Sequence, residues 1–378
     1  KFNQAKRLYE ASGKFDKNYA DIFLKLGTIQ ETENNYSEAI KYYKSSLPIW
    51  EKLHSESIKK EGHFLAYVLI GQAFYKSEQY DSAIFFGQKA EHILPSNSHF
   101  IDNVQLLYNI MGAIYFKNGD FKQSIFYWEK GFNAANNQKH RHPQQLCSYQ
   151  LNIASAASSL GEYQKALKSY RQALQYNYVP EIIHRKIGEV YLKRNRPDSA
   201  LHYLQKAALP DNPENRIVVW NHLGNLYTQR KEYAKALSYY NQSIELNTKQ
   251  FRANTILAAS HLSIGQVHEA QQQFPQALAD YQTALQKLHF TFKSSDIYQN
   301  PQDFDNAVSK LDLFKALRQK AAAFQKYYLL NKQNPHLEAA LQTSQTAIRL
   351  AEHLRLSYDS DEAKLFFSEQ VFPVYEQA

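Results

Sequence analysis

The sequence predicts an all-α protein, a right-handed superhelical solenoid of antiparallel helix pairs, and three observations carry that expectation. The chain holds 12 Gly and 11 Pro in 378 residues, about half the usual share, so it lacks the punctuation that hairpins and long loops need. Apolar residues reach 44% and aromatics 14%, with 28 Tyr and 22 Phe, far too many for a disordered chain, so a large core has to be buried. Small residues also recur at a fixed offset. Gly27, Gly71, Gly112, Ala154, Gly188, Gly224 and Gly265 are each followed 12 residues later by Ala39, Ala83, Ser124, Ala166, Ala200, Ala236 and Ala277.

Each element follows from that register. Three residues before the second small residue stands Tyr36, Tyr80, Phe121, Tyr163, Pro197, Tyr233 or Phe274, and four after it Tyr43, Gly87, Trp128, Tyr170, Leu204, Tyr240 or Tyr281. A small residue on each of two helices lets them approach closely, while aromatics three and four residues away fill the space on either side. The short polar stretches Glu33-Asn34-Asn35, Lys76-Ser77-Glu78, Lys117-Asn118-Gly119 and Arg230-Lys231-Glu232 fit tight turns between the two helices. One such pair cannot bury both of its faces, so the pairs must stack. At the N-terminus Phe2, Ala5, Tyr9 and Ser12 reproduce the spacing of Phe274, Ala277, Tyr281 and Ala284, as if a truncated or processed chain began inside a second helix. The expected organisation is therefore a truncated first repeat and seven helix pairs over 1–288. A segment over 289–378 then follows, leading to an absent downstream domain. In it the pattern lapses from His289 to Asp305 and resumes as a diverged pair, Phe314 to Leu330 and then Leu337, Ala340 and Ala347. A last helix is expected over 361–378 behind the cap Ser360, interrupted by Pro373.

The unit Trp220-x-x-Leu223-Gly224-x-x-Tyr227, then Tyr233-x-x-Ala236-x-x-x-Tyr240, resembles the tetratricopeptide repeat family. Successive second small residues lie 44, 41, 42, 34, 36 and 41 apart, so several units resemble extended variants in which both helices gain about a turn over the usual period of about 34. Towards the C-terminus, Leu317-x-x-Lys320-Ala321, Leu354-Arg355-x-Ser357-Tyr358, Lys364-Leu365 and Val374-Tyr375-Glu376-Gln377-Ala378 resemble the segment that joins such repeats to a CHAT domain, the caspase-like cysteine-peptidase family of bacteria. That resemblance implies repeats that recognise a partner and control a protease domain beyond Ala378.

Motifs for chemistry are missing from the chain. No two glycines are closer than seven residues, which removes both the G-x-G dinucleotide fingerprint and the phosphate-cradling P-loop. His140-x-His142 is flanked by Lys139 and Arg141, whose charge opposes a cation, and no H-E-x-x-H occurs, so neither a metal nor a cofactor is expected. The single cysteine, Cys147, excludes an intrachain disulfide and a Cys-based zinc site, and it reads as a structural thiol rather than a nucleophile. Asp359 and Asp361 fit a helix start, where capping and the macrodipole account for them. The chain is expected not to be an enzyme. Its longest apolar stretch, Leu106 to Phe116, is too short to cross a bilayer and no leader precedes Lys1, so a cytoplasmic location is favoured.

What remains is surface. On the exposed side of the first helices stand Gln72, Tyr75 and Lys76, then Asn109 and Lys117, then Arg185, Glu189 and Lys193, then Asn221, Asn225 and Gln229. Amide side chains donate and accept at once, which suits a protein or peptide ligand laid in a concave groove. The paired cationic and Asn positions with which chaperone-binding members of the family clamp a terminal carboxylate are not reproduced, since the first repeat offers Leu24 and Thr28 there. Nucleic acid is not expected as a partner: the net charge of +8 is spread along the chain, and Tyr115, Tyr191 and Tyr227 share the face of the small residues, where core packing uses them. The expected function is that of a recognition arm of a larger protein, a CHAT-type protease. The alternative is the sensor region of a bacterial histidine kinase or transcription regulator.

Overall fold

The computed structural model describes residues 2–94, 101–117, 119–138, 141–208 and 212–356, and among them lie seventeen α-helices with one isolated antiparallel bridge, His289 to Ala307. The expected helix over 361–378 lies outside the described residues. The chain divides into two compact units, Lys1–Tyr178 and Val179–Ala378, a division by compactness rather than by repeat pattern. The first unit opens with α1 (Phe2–Ser12), then pairs α2 (Lys17–Thr32) with α3 (Tyr36–Glu51) and α4 (Glu56–Lys76) with α5 (Tyr80–His92). It continues with α6 (Ile101–Lys117) against α7 (Phe121–Asn136) and α8 (Pro143–Ser159) against α9 (Tyr163–Leu174). The second unit pairs α10 (Pro180–Lys193) with α11 (Pro197–Ala208), α12 (Pro213–Gln229) with α13 (Tyr233–Gln250) and α14 (Asn254–Ala270) with α15 (Phe274–Leu288). Its last pair is α16 (Lys310–Asn331) and α17 (Asn334–Leu356). The long units are long because of their helices: α4 runs 21 residues and α13 18, against 12 each for α9 and α11.

The small residues do what the register demands. A methyl group built on Gly224 would lie 2.3 Å from the ring of Tyr240, one on Gly27 2.4 Å from Tyr43, one on Gly265 2.5 Å from Tyr281 and one on Gly112 2.5 Å from Trp128. Each ring therefore rests directly on the backbone of the opposite helix. The pair α4/α5 is built differently, because Gly87 stands where the others carry a large side chain. A methyl group on Gly71 there would meet nothing closer than the Ala83 carbonyl at 3.4 Å, and the hole at Gly87 is filled from the next pair by Met111, the single methionine. A second contact recurs three residues further along each helix. Phe74 stacks on Phe86 at 5.6 Å, Tyr115 on Tyr127 at 5.4 Å, Tyr191 on Tyr203 at 5.6 Å and Tyr227 on Tyr239 at 5.5 Å. At the same place in α14/α15 the stack is replaced by a hydrogen bond, His268 Nδ1 to Asp280 Oδ2 at 2.7 Å.

The turns repeat as closely as the faces. Seven residues after each first-helix small residue the chain takes a positive φ, at Asn34, Glu78, Gly119, Gly161, Asn195, Lys231 and Gln272. In six of the seven the next N–H then reaches back five residues, as from Gln79 to the Phe74 carbonyl at 2.9 Å and from Glu232 to Tyr227 at 2.8 Å, which is the Schellman closure of a helix end. In five of the seven turns the left-handed residue is not glycine.

The polar stretch after α15 is ordered by hydrogen bonds from its surroundings. Val308 N–H bonds to the Leu288 carbonyl at 2.8 Å and Phe290 N–H to Asn306 at 2.9 Å, which closes the loop at its base. Inside it, the fully buried Lys320 of α16 donates to Gln282 Oε1 at 2.7 Å, the Gln299 carbonyl at 2.8 Å and Asn300 Oδ1 at 2.9 Å. Burial pushes this ammonium down to about 7, with Asp296 opposing the shift. Gln282 in turn donates to the carbonyls of Ser294 and Asp296.

Candidate functional site

Within each unit the first helices of consecutive pairs touch one another, α2 with α4 and α4 with α6 in the first unit, then α10, α12, α14 and α16 in order in the second. Each unit thus presents one face made of first helices, and the expected binding residues are distributed over both faces.

In the first unit those residues do not converge. Lys76 Nζ lies 2.7 Å from the buried carboxylate of Glu31, which also accepts the Tyr43 hydroxyl at 2.7 Å, so Lys76 neutralises an internal charge rather than pointing at a ligand. Tyr75 packs against Tyr80 at 6.1 Å, and Gln72 is half-buried. Asn109 and Lys117 are exposed on α6. Asn109 shares a small pocket of about 310 Å³ with Gln105, Gln145, Ser148 and Tyr149 of α6 and α8.

In the second unit the expected residues do come together. Glu189, Lys193, Asn225 and Gln229 line one open pocket of about 530 Å³, together with Leu192, His222, Thr228, Ser263 and Gln266. Three successive first helices, α10, α12 and α14, contribute to it. Glu189 accepts from Arg185 Nη1 at 2.8 Å, from His222 Nε2 at 2.9 Å and from Lys186 Nζ at 3.1 Å. Burial pushes its carboxyl up, but the hydrogen bond from His222 and the charges of His222, Lys186 and Arg185 outweigh that and hold it well below the usual carboxylate range. Arg185 is fixed in turn by Asn215 Oδ1 at 2.9 Å. The two asparagines are partly committed. Asn221 Oδ1 accepts from Ser260 at 2.8 Å, and Asn225 Oδ1 accepts from Tyr240 at 2.7 Å and Ser263 at 3.4 Å, so both tie α12 to its neighbours. Burial pushes the Tyr240 phenol up to about 12, so it stays an O–H donor.

Leu192, His222, Thr228, Ser263 and Gln266 were missed by the sequence reading. Gln266 follows Gly265 as Asn225 follows Gly224 and Glu189 follows Gly188, so carrying the register one pair further finds it. His222 and Ser263 gave no such signal. Their places depend on how α12 and α14 sit against each other. Cys147 is buried, its Sγ 3.6 Å from the Ala173 carbonyl and 3.5 Å from that of Tyr178, and burial pushes the thiol up, which makes it a poor nucleophile. Tyr115, Tyr191 and Tyr227 have ring faces occupied by their stacking partners, so no base can stack there on that side. No helix among the described residues is long and apolar enough to cross a membrane.

Comparison with known proteins agrees with this geometry. Tetratricopeptide repeat profiles match residues 20–47, 151–217 and 215–287. Among curated proteins, Anaphase-promoting complex subunit 3 of Schizosaccharomyces pombe is 33% identical over 104 residues, 26% of this chain and 15% of that protein. The chain spans between 15% and 26% of the length of the curated relatives it matches. Among solved structures, the apo form of the quorum sensor NprR from B. thuringiensis aligns with a TM-score of 0.60 at 13% identity, over 90% of this chain and 93% of that one. A tetratricopeptide repeat protein from Parabacteroides merdae aligns with a TM-score of 0.54 at 14% identity, over 83% and 98%. The stacked glycine-on-ring pairs and the repeated turn agree with these matches, which show tetratricopeptide repeats over residues 20–47 and 151–287 of the chain.

Proposed function

We propose that this protein is a protein–protein interaction scaffold that holds a polypeptide segment against the first-helix face of its second unit, with the pocket between α10, α12 and α14 as the principal contact. One observation carries the reading. Amide and hydroxyl groups from two consecutive first helices, Asn225, Thr228 and Gln229 of α12 and Ser263 and Gln266 of α14, converge on one open pocket whose wall on the α10 side is Glu189, Leu192 and Lys193. Such groups match the alternating donors and acceptors of a peptide main chain. Glu189, the one carboxylate among the described lining residues, is already neutralised by Arg185 and Lys186 and contacted by His222, so a neutral or acidic segment enters without repulsion.

The test is selection of binders from a peptide library followed by titration into the full chain. Gln229 and Gln266 are both exposed, and neither side chain makes a hydrogen bond or ion pair among the described residues. Replacing both by Ala is expected to weaken a selected peptide on the order of 10-fold while leaving the melting temperature unchanged. Unaltered affinity would move the site elsewhere. Asn221 and Asn225 serve this purpose less well, because their loss also removes bonds between pairs.

The finer reading, a regulatory arm of a caspase-like protease, rests on the residue pattern from Leu317 onward. Within that pattern Leu317, Lys320 and Ala321 are buried core positions, and residues 357–378 lie outside the described ones. Codons beyond Ala378 that encode a His and then a Cys, each at a strand end, would support it. A membrane span or kinase helix there would support the sensor alternative.

A further inference from the structure

The second-helix face of the first unit carries a feature that packing does not require, and the repeat register supplies the control. Two residues after the second small residue of each pair the side chain points away from the partner helix and is exposed in all seven pairs. In five of them it is polar or small: Lys41, Lys168, His202, Ser238 and Ala279. In the two adjacent pairs α4/α5 and α6/α7 it is Phe85, 52% exposed, and Phe126, 50% exposed. The same backbone position therefore folds without an aromatic ring, and burial does not explain either phenylalanine.

Both rings are set up alike. Phe85 meets Phe86 edge-on at 5.2 Å, and Phe126 meets Tyr127 edge-on at 5.3 Å. Four residues on, Lys89 places its ammonium 4.4 Å over Phe85 and Lys130 places its own 5.0 Å over Phe126. Lys130 is paired with Glu91, and Lys41 with Glu38. Lys89 and Lys44 lie over aromatic rings and Lys122 and Lys168 are exposed, none of the four in an ion pair among the described residues. The row of second helices α3, α5, α7 and α9 thus presents two half-exposed rings within an excess of positive charge.

From this we infer that the second-helix face centred on Phe85 and Phe126 is a docking surface for an acidic polypeptide segment that carries apolar side chains. Carboxylates pair with Lys89 above Phe85 and with the exposed Lys122 and Lys168, and apolar side chains cover the half-exposed rings of Phe85 and Phe126. The complementarity is one of charge and of spacing: aromatic and cation stand four residues apart on each helix, and the device recurs on consecutive pairs. An anionic bilayer is disfavoured because a ring that enters lipid must project past its cations, whereas here the cations sit above the rings. The inference concerns a face made of second helices and is independent of the first-helix pocket.

The test uses a labelled peptide of three copies of Glu-Glu-Leu-Phe, its charge-reversed counterpart with Lys for Glu, and vesicles rich in phosphatidylserine, each titrated with the full chain. The decisive variant is Phe85→Lys with Phe126→Lys, since lysine already occupies the equivalent positions in α3 and α9 and leaves the fold intact. The acidic peptide is expected to bind, and the double variant to weaken it by at least about 10-fold although it adds two positive charges. Gln229→Ala with Gln266→Ala should leave this binding as it is. Absence of binding, unchanged or tighter binding by the lysine variant, equal binding of the charge-reversed peptide, or recruitment to vesicles with no peptide binding would each overturn the proposal.

Discussion

At the scale of single residues, the contact between glycine and ring sets the distance between helices. Gly224 has no room for a methyl group beneath Tyr240, so Gly224→Ala is expected to destabilise by about 1–3 kcal/mol, the range seen when a filled core is overpacked. Tyr240→Leu in the same chain should recover part of that loss, because Leu204 already faces Gly188 in the pair before. Gly71→Ala should behave oppositely. The nearest atom lies at ordinary contact distance, 3.4 Å, and alanine favours a helix over glycine by about 0.8–1 kcal/mol, so a neutral to stabilising effect is expected. Urea unfolding of the three variants checks all of this, and equal losses at Gly224 and Gly71 would mean that the register is wrong. These facing residues were legible in the sequence because a fixed offset can be read without any structure.

At the scale of elements, the turns and the long loop divide the same way. The seven turns share a positive φ at one position, yet there Lys231, Glu78 and Gln272 hold a left-handed conformation that costs a side chain roughly 1–2 kcal/mol. Glycine removes that strain and returns part of the gain as chain entropy, so Lys231→Gly is expected to stabilise by about 0.5–1 kcal/mol, read as a rise in melting temperature. Four of the seven turns were visible as short polar stretches; which residue takes φ > 0 was not, because only two of the seven are glycine. The loop from His289 to Ser309 lay further from reach. It looked like a lapse in pattern, and its order comes from a lysine some 20 residues onward whose three acceptors belong to α15 and to the loop. Lys320 titrates near 7 in the folded chain against about 10.4 when unfolded, so between those values the unfolded chain holds a proton that the folded one has lost. Stability should therefore rise with pH from about 7 towards 10, by at most about 1.4 kcal/mol per pH unit, and Lys320→Met should flatten that rise. Urea midpoints at successive pH values decide it; an identical slope in the variant would assign the effect to other groups.

At the scale of the whole molecule, each compact unit is a stack of pairs whose described helices touch near neighbours in the chain, and such a stack has local rather than global stability. The expected outcome for Gly224→Ala is accelerated amide exchange concentrated in α12 to α15, with α2 to α5 in the other compact unit unchanged. A uniform acceleration would show that the chain opens as one cooperative body. This locality also frees the surfaces to diverge. One repeat position can carry Phe in two pairs and Lys in two others, and one first-helix face can gather a pocket while the other spends its lysine on a buried glutamate.

The sequence by itself determined the helix pairs, their register and the all-α class, because these follow from spacing along the chain and repeat often enough to be read as a period. Gln72, Tyr75, Lys76, Asn109, Lys117, Arg185, Glu189, Lys193, Asn221, Asn225 and Gln229 were all assigned to the outer side of the first helices by that same period. Only the tertiary structure decided which of them share a pocket, that Lys76 belongs to Glu31, that His222 completes the clamp on Glu189 and that Lys320 holds a loop in place. The physical reason is that a periodic pattern fixes the face on which a side chain stands. Whether its polar end meets a ligand, a neighbour or a buried charge depends on atoms contributed by segments about 20 to 45 residues away, on the order of one repeat period, whose distance no local spacing encodes.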